Sequence, residues 1–172
     1  MVRSMKYLSD QKNTIFIGQA TAVPGTIMYN TLQNVKKNKI IEFPVAEEMQ
    51  MGVTLGMALD GYVPISLFPR QNFMLLAINQ LVNHLDKLSK LAETKNLYKF
   101  IIRTSIGSER PLNPQLQHIG DFSKALSLMC KNIEIILLDE PNKILSSYKK
   151  AFRRQDGKNT LLIEYGDYFN EK

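Results

Sequence analysis

Two adjacent carboxylates, Glu47 and Glu48, precede glycines Gly52 and Gly56, which lie one helical turn apart. A buried carboxylic acid can hold or transfer a proton at a ligand nitrogen, whereas acidic residues also favour the first turn of any helix through its dipole. The residues alone therefore leave both interpretations open. Because a helical glycine costs about 1 kcal/mol relative to alanine, the pair predicts close approach of another backbone, either from the sheet or from a second subunit.

Four more side chains could do chemistry, and each has a structural alternative. Histidine is a common general acid or base, so His118 could transfer a proton at a carbonyl oxygen, or it could cap or pack a helix start. Phe73 heads the apolar run FMLLAINQL and would by itself be a packing residue. Arg70 could hold an anionic group or form a surface salt bridge, and Gln19 could hydrogen-bond a ligand. His84 lies inside a predicted helix and is expected to be structural.

The elements that must position these residues alternate regularly along the chain. The strand candidates are TIFIG, KIIEF, YVPISLF, LYKFIIRT, IEIILL and NTLLIEY, and helical periods cover residues 26–35, 47–59, 72–93, 121–130 and 142–152. This alternation predicts a three-layer α/β/α fold with a largely parallel sheet of about six strands. Ligands of such sheets bind beyond the carboxyl ends of the strands, where the candidate residues fall.

Three consecutive segments resemble the pyrimidine-binding domain of thiamine-diphosphate enzymes, which transketolases share with the beta subunits of 2-oxoacid dehydrogenases. They are VAEEMQMGVTLGMALDG, YVPISLF and RQNFMLLAINQLVNHLDKL. The family has a catalytic glutamate shortly before a glycine-rich helix, then a strand with a proline, then a loop bearing an aromatic residue. Aligning the helix glycines puts Glu47, rather than Glu48, on the catalytic carboxylate and Phe73 on the aromatic that packs on the aminopyrimidine.

A later segment, IIRTSIGSERPLNPQLQHIGDF, resembles the dehydrogenase beta-subunit loop and carries His118 onto the family's active-site histidine. The resemblance implies that Glu47 hydrogen-bonds the pyrimidine ring nitrogen and so makes the cofactor's own 4-amino group basic. His118 would orient or protonate the substrate carbonyl oxygen. Gln19 and Arg70 are further cofactor-binding candidates, although many beta subunits have glutamate at the first position and small or apolar residues at the second. The SERPLNP loop also departs from the family's glycine run.

The resemblance further implies a partner subunit. No G-D-G motif with a downstream Asn is present, so the diphosphate-binding domain and its Mg²⁺ are expected on another polypeptide, with no metal ligand in this chain. Residues 1–172 are predicted to be a single pyrimidine-binding domain without the beta subunit's C-terminal domain, acting in a heterotetramer. The expected reaction cleaves or forms a C–C bond next to the carbonyl of a 2-oxoacid or ketose.

Two other functional classes stay open as hypotheses. One is a non-catalytic structural or regulatory subunit of such a complex, which the presence of Glu47 argues against. The other is an unrelated flavodoxin-like or nucleotide-binding module. That module needs a glycine-rich loop to cradle phosphate, and Gly18-Gln19-Ala20 after the first strand is too poor in glycine.

Composition agrees with one domain in a reducing compartment. The 172 residues are 44% apolar, which allows a substantial core. Cys130 is the only cysteine, so an internal disulfide is excluded. The net charge of +6 is scattered except at Lys149, Lys150, Arg153 and Arg154, which we interpret as a solvated helix face rather than a nucleic-acid site. No apolar run is long enough for a bilayer, which predicts a soluble, cytoplasmic protein without membrane partners.

Overall fold

Six strands lie side by side in one sheet, and every neighbouring pair runs parallel. The computed structural model describes residues 1–91, 98–107 and 113–166. The strands are β1 (Thr14–Gly18), β2 (Ile40–Glu42), β3 (Val63–Leu67), β4 (Ile101–Ile106), β5 (Ile133–Leu138) and β6 (Asn159–Tyr165). Their order across the sheet is β2-β1-β3-β4-β6-β5. The predicted α/β fold with a parallel sheet is confirmed.

Helices cover both faces of this sheet. They are α1 (Val2–Ser9), α2 (Ile27–Leu32), α3 (Glu47–Leu59), α4 (Gln71–Met74), α5 (Leu88–Leu91), α6 (Ser123–Met129) and α7 (Ile144–Arg153). One core cluster joins the sheet to α3, α6 and the helical segment from α4 to α5, and the other joins it to α1, α2 and α7. Within the described ranges, no helix has both the length and the apolar character needed to cross a membrane.

The strand order reverses direction between β1 and β3. From β1 the chain passes through α2 on one face to β2, and then through α3 on the other face to β3 on the far side of β1. Open parallel sheets bind ligands at such a switch point, in the crevice outside the carboxyl ends of the two strands. The fold therefore directs attention to the residues that follow β1 and β3 and to the start of α3.

Most predicted elements are present, with three differences. The helix over residues 47–59 has the predicted bounds, whereas β4 begins at Ile101 rather than at residue 97, and part of that predicted strand lies outside the described residues. The predicted helix over 72–93 is divided into α4, a 3₁₀ turn, a π-helical stretch at Gln80–His84, a second 3₁₀ turn and α5. α1 has no predicted counterpart because it starts at Val2 without a capping side chain.

The expectation that Gly52 and Gly56 allow α3 to pack closely on its own sheet is wrong. A Cβ atom at either position would meet nothing within 4 Å, because both glycines point away from the core. Close approach instead involves Gly18, where a Cβ would lie 2.4 Å from the carbonyl oxygen of Leu67 on β3. Contact of the α3 glycines with a second subunit stays a prediction.

Candidate functional site

α3 places the two adjacent carboxylates in different environments. Glu47 is the first residue of the helix and only 4% exposed, and its Oε1 has no hydrogen-bond partner among the described residues. Glu48 is exposed and accepts a long hydrogen bond of 3.4 Å from Nε2 of Gln80. Since buried polar atoms are nearly always paired, the unpaired oxygen of Glu47 indicates a place for a ligand donor.

One turn further along α3, Gln50 anchors the helix to the strands. Its Nε2 donates to the carbonyl oxygen of Leu67 at 3.0 Å and to Oγ of Ser66 at 3.1 Å, both on β3. The hydroxyl of Thr54 donates to the same Ser66 oxygen at 3.0 Å. These contacts are fully buried, so they fix the first turn of α3, and with it Glu47, above the carboxyl end of β3.

An open cavity of about 750 Å³ adjoins Glu47. The first turns of α3 form one wall, including Met49 and Gly52, and Leu76 and Gln80 from the helical segment after β3 form another. The missing side chain at Gly52 leaves this wall open. A volume of this size accommodates a small-molecule ring, and its lining combines apolar groups with the buried carboxylate of Glu47 and, at the exposed rim, that of Glu48.

Phe73 and His118 contact each other, although 45 positions separate them in the sequence. Their ring centroids are 5.0 Å apart with the planes tilted by 40°. Phe73 lies in α4, and His118 ends a 3₁₀ turn that begins at Leu116. Nδ1 of His118 is buried without a hydrogen-bond partner among the described residues, so the imidazole retains an unused donor or acceptor.

Arg70 binds main-chain oxygens. Its Nη1 donates to the carbonyl oxygen of Gly107 at 2.9 Å and to that of His118 at 3.2 Å. Burial lowers the pKa of the Arg70 guanidinium, yet an arginine remains charged at neutral pH. Within the described residues no carboxylate lies in salt-bridge range of Arg70, and its predicted role toward a cofactor stays a prediction.

Gln19 follows β1 directly and is 9% exposed, and its Nε2 is buried without a partner among the described residues. The next residue, Ala20, has a left-handed φ of 57° that turns the chain sharply. Glu42 at the end of β2 fixes this turn by accepting from the backbone N–H groups of Ala20 and Ala22 and from the Thr21 hydroxyl. Burial alone would raise the pKa of Glu42, but these hydrogen bonds hold it below its ordinary value.

The predicted residues do not form one group. Glu47 lines the cavity, whereas Phe73, His118 and Arg70 form a separate cluster, and neither this cluster nor Gln19 lines the cavity. Four further buried atoms without a partner among the described residues were not identified in the sequence. They are Oγ of Ser4, Oε1 of Gln50, Nε2 of Gln71 and Oγ1 of Thr104. Nothing in their local sequence marks them, because their burial depends on tertiary packing.

The basic patch on α7 is partly neutralised. Lys150 and Arg154 both pair with Glu134 on β5, and Arg154 also binds Asp156 at 2.7 Å. The remaining two cations of the patch, Lys149 and Arg153, lie over the ring of Tyr7, 5.5 and 6.0 Å from its centroid. This surface lies away from the carboxyl ends of the strands, so it is separate from the candidate site.

We compared the chain with protein-family models, curated proteins and solved structures. No protein-family model matches the chain. A curated relative, the pyruvate dehydrogenase E1 component subunit beta of Gracilaria tenuistipitata var. liui, is 25% identical over 135 residues, which are 78% of this chain and 40% of the relative. A split-gene transketolase, solved as an inactive beta4 tetramer, superposes with a TM-score of 0.67 at 13% identity over 95% of this chain and 48% of that one.

A second solved structure, a protein from Mycobacterium smegmatis assigned as a thiamin diphosphate-dependent enzyme, superposes with a TM-score of 0.56 at 14% identity. It matches 95% of this chain and 31% of that one. The chain thus spans less than half the length of each of these relatives. The fold is that of transketolase-like domains of thiamine-diphosphate enzymes, and the resemblance indicated by the sequence motifs is confirmed.

Proposed function

We propose that this chain provides the aminopyrimidine-binding half of a thiamine-diphosphate site in an enzyme of more than one subunit. The observation that carries the proposal is the buried Oε1 of Glu47 at the start of α3, which has no hydrogen-bond partner among the described residues. It coincides with the position that the motif resemblance assigns to the family's glutamate. A structural first-turn carboxylate would instead be exposed, as Glu48 is, or would accept from backbone N–H groups, as Glu42 does at the end of β2.

The residues present fit the cofactor. Thiamine diphosphate, when bound, supplies a thiazolium carbon that accepts the electrons released by cleavage of a C–C bond. Oε1 of Glu47 would form a hydrogen bond with the pyrimidine ring nitrogen and stabilise a proton between them. Nε2 of Gln19, at the end of β1, is an amide donor without a partner among the described residues, and Phe73 offers a half-buried ring to the pyrimidine, although neither residue lines the cavity beside Glu47. The diphosphate and Mg²⁺ would be held by a partner subunit.

Burial defines what Glu47 can do. The residue is only 4% exposed, so a hydrogen bond to a ring nitrogen is stronger there than at the surface. His118 would donate a proton to the substrate carbonyl oxygen from the imidazole nitrogen that faces the substrate. We infer cleavage or formation of a C–C bond next to a carbonyl, in a 2-oxoacid or a ketose. The likeness of the His118 segment to dehydrogenase beta subunits favours 2-oxoacids.

The decisive experiment is calorimetric titration of thiamine diphosphate and Mg²⁺ into the chain alone and into its complex with a co-expressed diphosphate-binding subunit. We expect binding only in the complex, weakened by Glu47→Ala. Glu47→Gln keeps the shape of the side chain but cannot transfer the proton, so turnover should fall by about 100-fold or more. Glu48→Gln is the matched control and should leave both binding and turnover unchanged.

A non-catalytic subunit is the second candidate, because the split-gene transketolase with the same fold was solved as an inactive tetramer. In that case the chain would form a complex with the partner but bind no cofactor at the Glu47 cavity. Equal effects of Glu47→Gln and Glu48→Gln on turnover would also contradict the proposed role of Glu47.

A further inference from the structure

Arg70 joins two parts of the chain that flank residues 108–112. Its Nη1 contacts the carbonyl oxygens of Gly107, just after β4, and of His118, at 2.9 and 3.2 Å. Both acceptors are main-chain atoms, and the donor is a charged group that is half-buried. Charge-assisted hydrogen bonds of this kind are stronger than neutral ones, so Arg70 fixes where the backbone at His118 lies.

The two residues after Arg70 bind the same segment a few positions further on. Oε1 of Gln71 accepts from the backbone N–H of Phe122 at 2.6 Å, and Oδ1 of Asn72 accepts from that of Gly120 at 3.2 Å. Gln71 is fully buried. Three successive side chains after β3 therefore hold the backbone of residues 118–122, and we call Arg70, Gln71 and Asn72 the bracket.

The segment held by the bracket has little regular structure of its own. Its 3₁₀ turn spans only Leu116–His118, and Gln115 before it has a left-handed φ of 62°. Gly120 is packed so closely that a Cβ would lie 2.7 Å from the ring of Phe122 and 3.2 Å from Nδ2 of Asn72. Side chains of another element therefore contribute to the position of the segment, beside its own hydrogen bond from the His118 N–H to the Gln115 carbonyl oxygen.

The residue that follows the bracket in sequence is Phe73, whose ring contacts the imidazole of His118. We propose that Arg70, Gln71 and Asn72 are positioning residues that hold the His118 segment and thereby fix the imidazole against Phe73. The chemical use of that imidazole rests on the proposed function, whereas the holding of the segment does not. Arg70 then acts through the backbone and touches neither cofactor nor substrate.

The first test uses nuclear magnetic resonance on the full chain, recording the histidine ring signals and the exchange rates of the Gly120 and Phe122 amides. Arg70→Ala removes two hydrogen bonds of the bracket and Asn72→Ala removes one, so in both variants these amides should exchange about tenfold faster or more. The ring signals of His118 should shift while those of His84 do not. Asn72→Asp keeps the oxygen that accepts from Gly120 and should behave as the wild type, and Arg153→Ala is the control for loss of an arginine.

Unchanged His118 signals and amide exchange in both alanine variants would overturn the proposal. The pair Asn72→Ala and Asn72→Asp decides the matter even if Arg70→Ala fails to fold. In the complex with the diphosphate-binding subunit, the alanine variants should lower kcat and leave cofactor affinity unchanged, and Asn72→Asp should restore kcat. Normal kcat in both alanine variants would also overturn the proposal. A wild-type complex without turnover would instead reject the proposed function, and the resonance experiment would still decide on the bracket.

Discussion

Two buried carboxylates in this protein have opposite surroundings. Glu164 on β6 is 2% exposed, pairs with Arg103 on β4 at 2.7 and 3.0 Å, and accepts from the Tyr148 hydroxyl. Glu47 is 4% exposed and has an oxygen without any partner among the described residues. Burial is therefore the same and only the partners differ. A carboxylate that serves the fold has its hydrogen bonds supplied by the chain, whereas one that serves a ligand keeps a position open.

The Glu164 cluster is complete on its own. Arg103 is fully buried and uses its third nitrogen, Nη1, to donate to the Thr31 hydroxyl at 2.8 Å. Burial, and then the charge of Glu164, raises the pKa of Tyr148 well above its ordinary value, so the phenol remains a donor. The cluster connects the sheet to α2 and α7, on the face opposite to α3.

The largest expected effect is on stability, from Arg103→Ala. This change leaves the Glu164 carboxylate buried without its cation, so the free energy of unfolding should fall by about 3–5 kcal/mol. Urea denaturation measures the loss, with the exposed Arg153→Ala expected within about 0.5 kcal/mol of the wild type. A loss from Arg103→Ala of the same size as the control would remove the contrast between the two carboxylates.

A third buried carboxylate, Asp86, extends the comparison to pH. Oδ1 of Asp86 accepts from the N–H groups of Lys131 and Asn132 at 2.8 and 2.7 Å, and Oδ2 binds Lys87. Burial would raise the pKa of Asp86, but the Lys87 contact and the backbone hydrogen bonds lower it below 3.8.

Because the folded-state pKa of Asp86 is depressed, its contribution to stability is present above about pH 4 and is lost as the pH falls through the folded value. We therefore expect Asp86→Asn to lower the free energy of unfolding by about 1–3 kcal/mol at pH 7. The difference from the wild type should shrink below pH 4. Denaturation curves between pH 3 and 7 test this, and a difference that is independent of pH would show that the charge of Asp86 is not what stabilises the fold.

Alanine substitutions at two glycines show whether the outer face of α3 is uncovered in solution. Gly56→Ala should stabilise the isolated chain by about 0.5–1 kcal/mol, because alanine is the better helix former and its Cβ meets nothing within 4 Å. The matched change Gly18→Ala should destabilise by about 1–3 kcal/mol, since its Cβ would collide with Leu67. Thermal unfolding compares the two, and a destabilising Gly56→Ala would mean that another surface already covers this face in solution.

The smallest expected change in stability belongs to Glu47→Gln. Oε1 of Glu47 has no hydrogen bond to lose within the described residues, so the free energy of unfolding should stay within about 1 kcal/mol of the wild type. Turnover should nevertheless fall steeply, as proposed above. A loss of stability as large as that of Arg103→Ala would instead assign Glu47 to the fold, and the comparison would fail.

Much of the architecture could be predicted because its signals are local. Apolar runs such as FIIRT and TIFIG mark strands that are covered on both faces, and α3 has the predicted bounds from Glu47 to Leu59. The stretch over 72–93 was harder, since its apolar period is helical throughout. It changes to a π-helical stretch at Gln80–His84, just before the tertiary contacts of Asp86 with Lys131 and Asn132.

The sequence by itself determined the alternating order of elements and the motif resemblance, and through that resemblance it predicts Glu47 rather than Glu48 as the catalytic carboxylate. Only the tertiary structure decided which polar groups are paired. Arg103 and Glu164 are 61 positions apart, and Asn72 reaches Gly120 across 48, so no local pattern could connect them. Local propensity follows from neighbouring residues, whereas the pairing of a buried polar atom depends on which strands lie side by side. The open oxygen of Glu47 and the bracket around His118 became visible only once the sheet order was known.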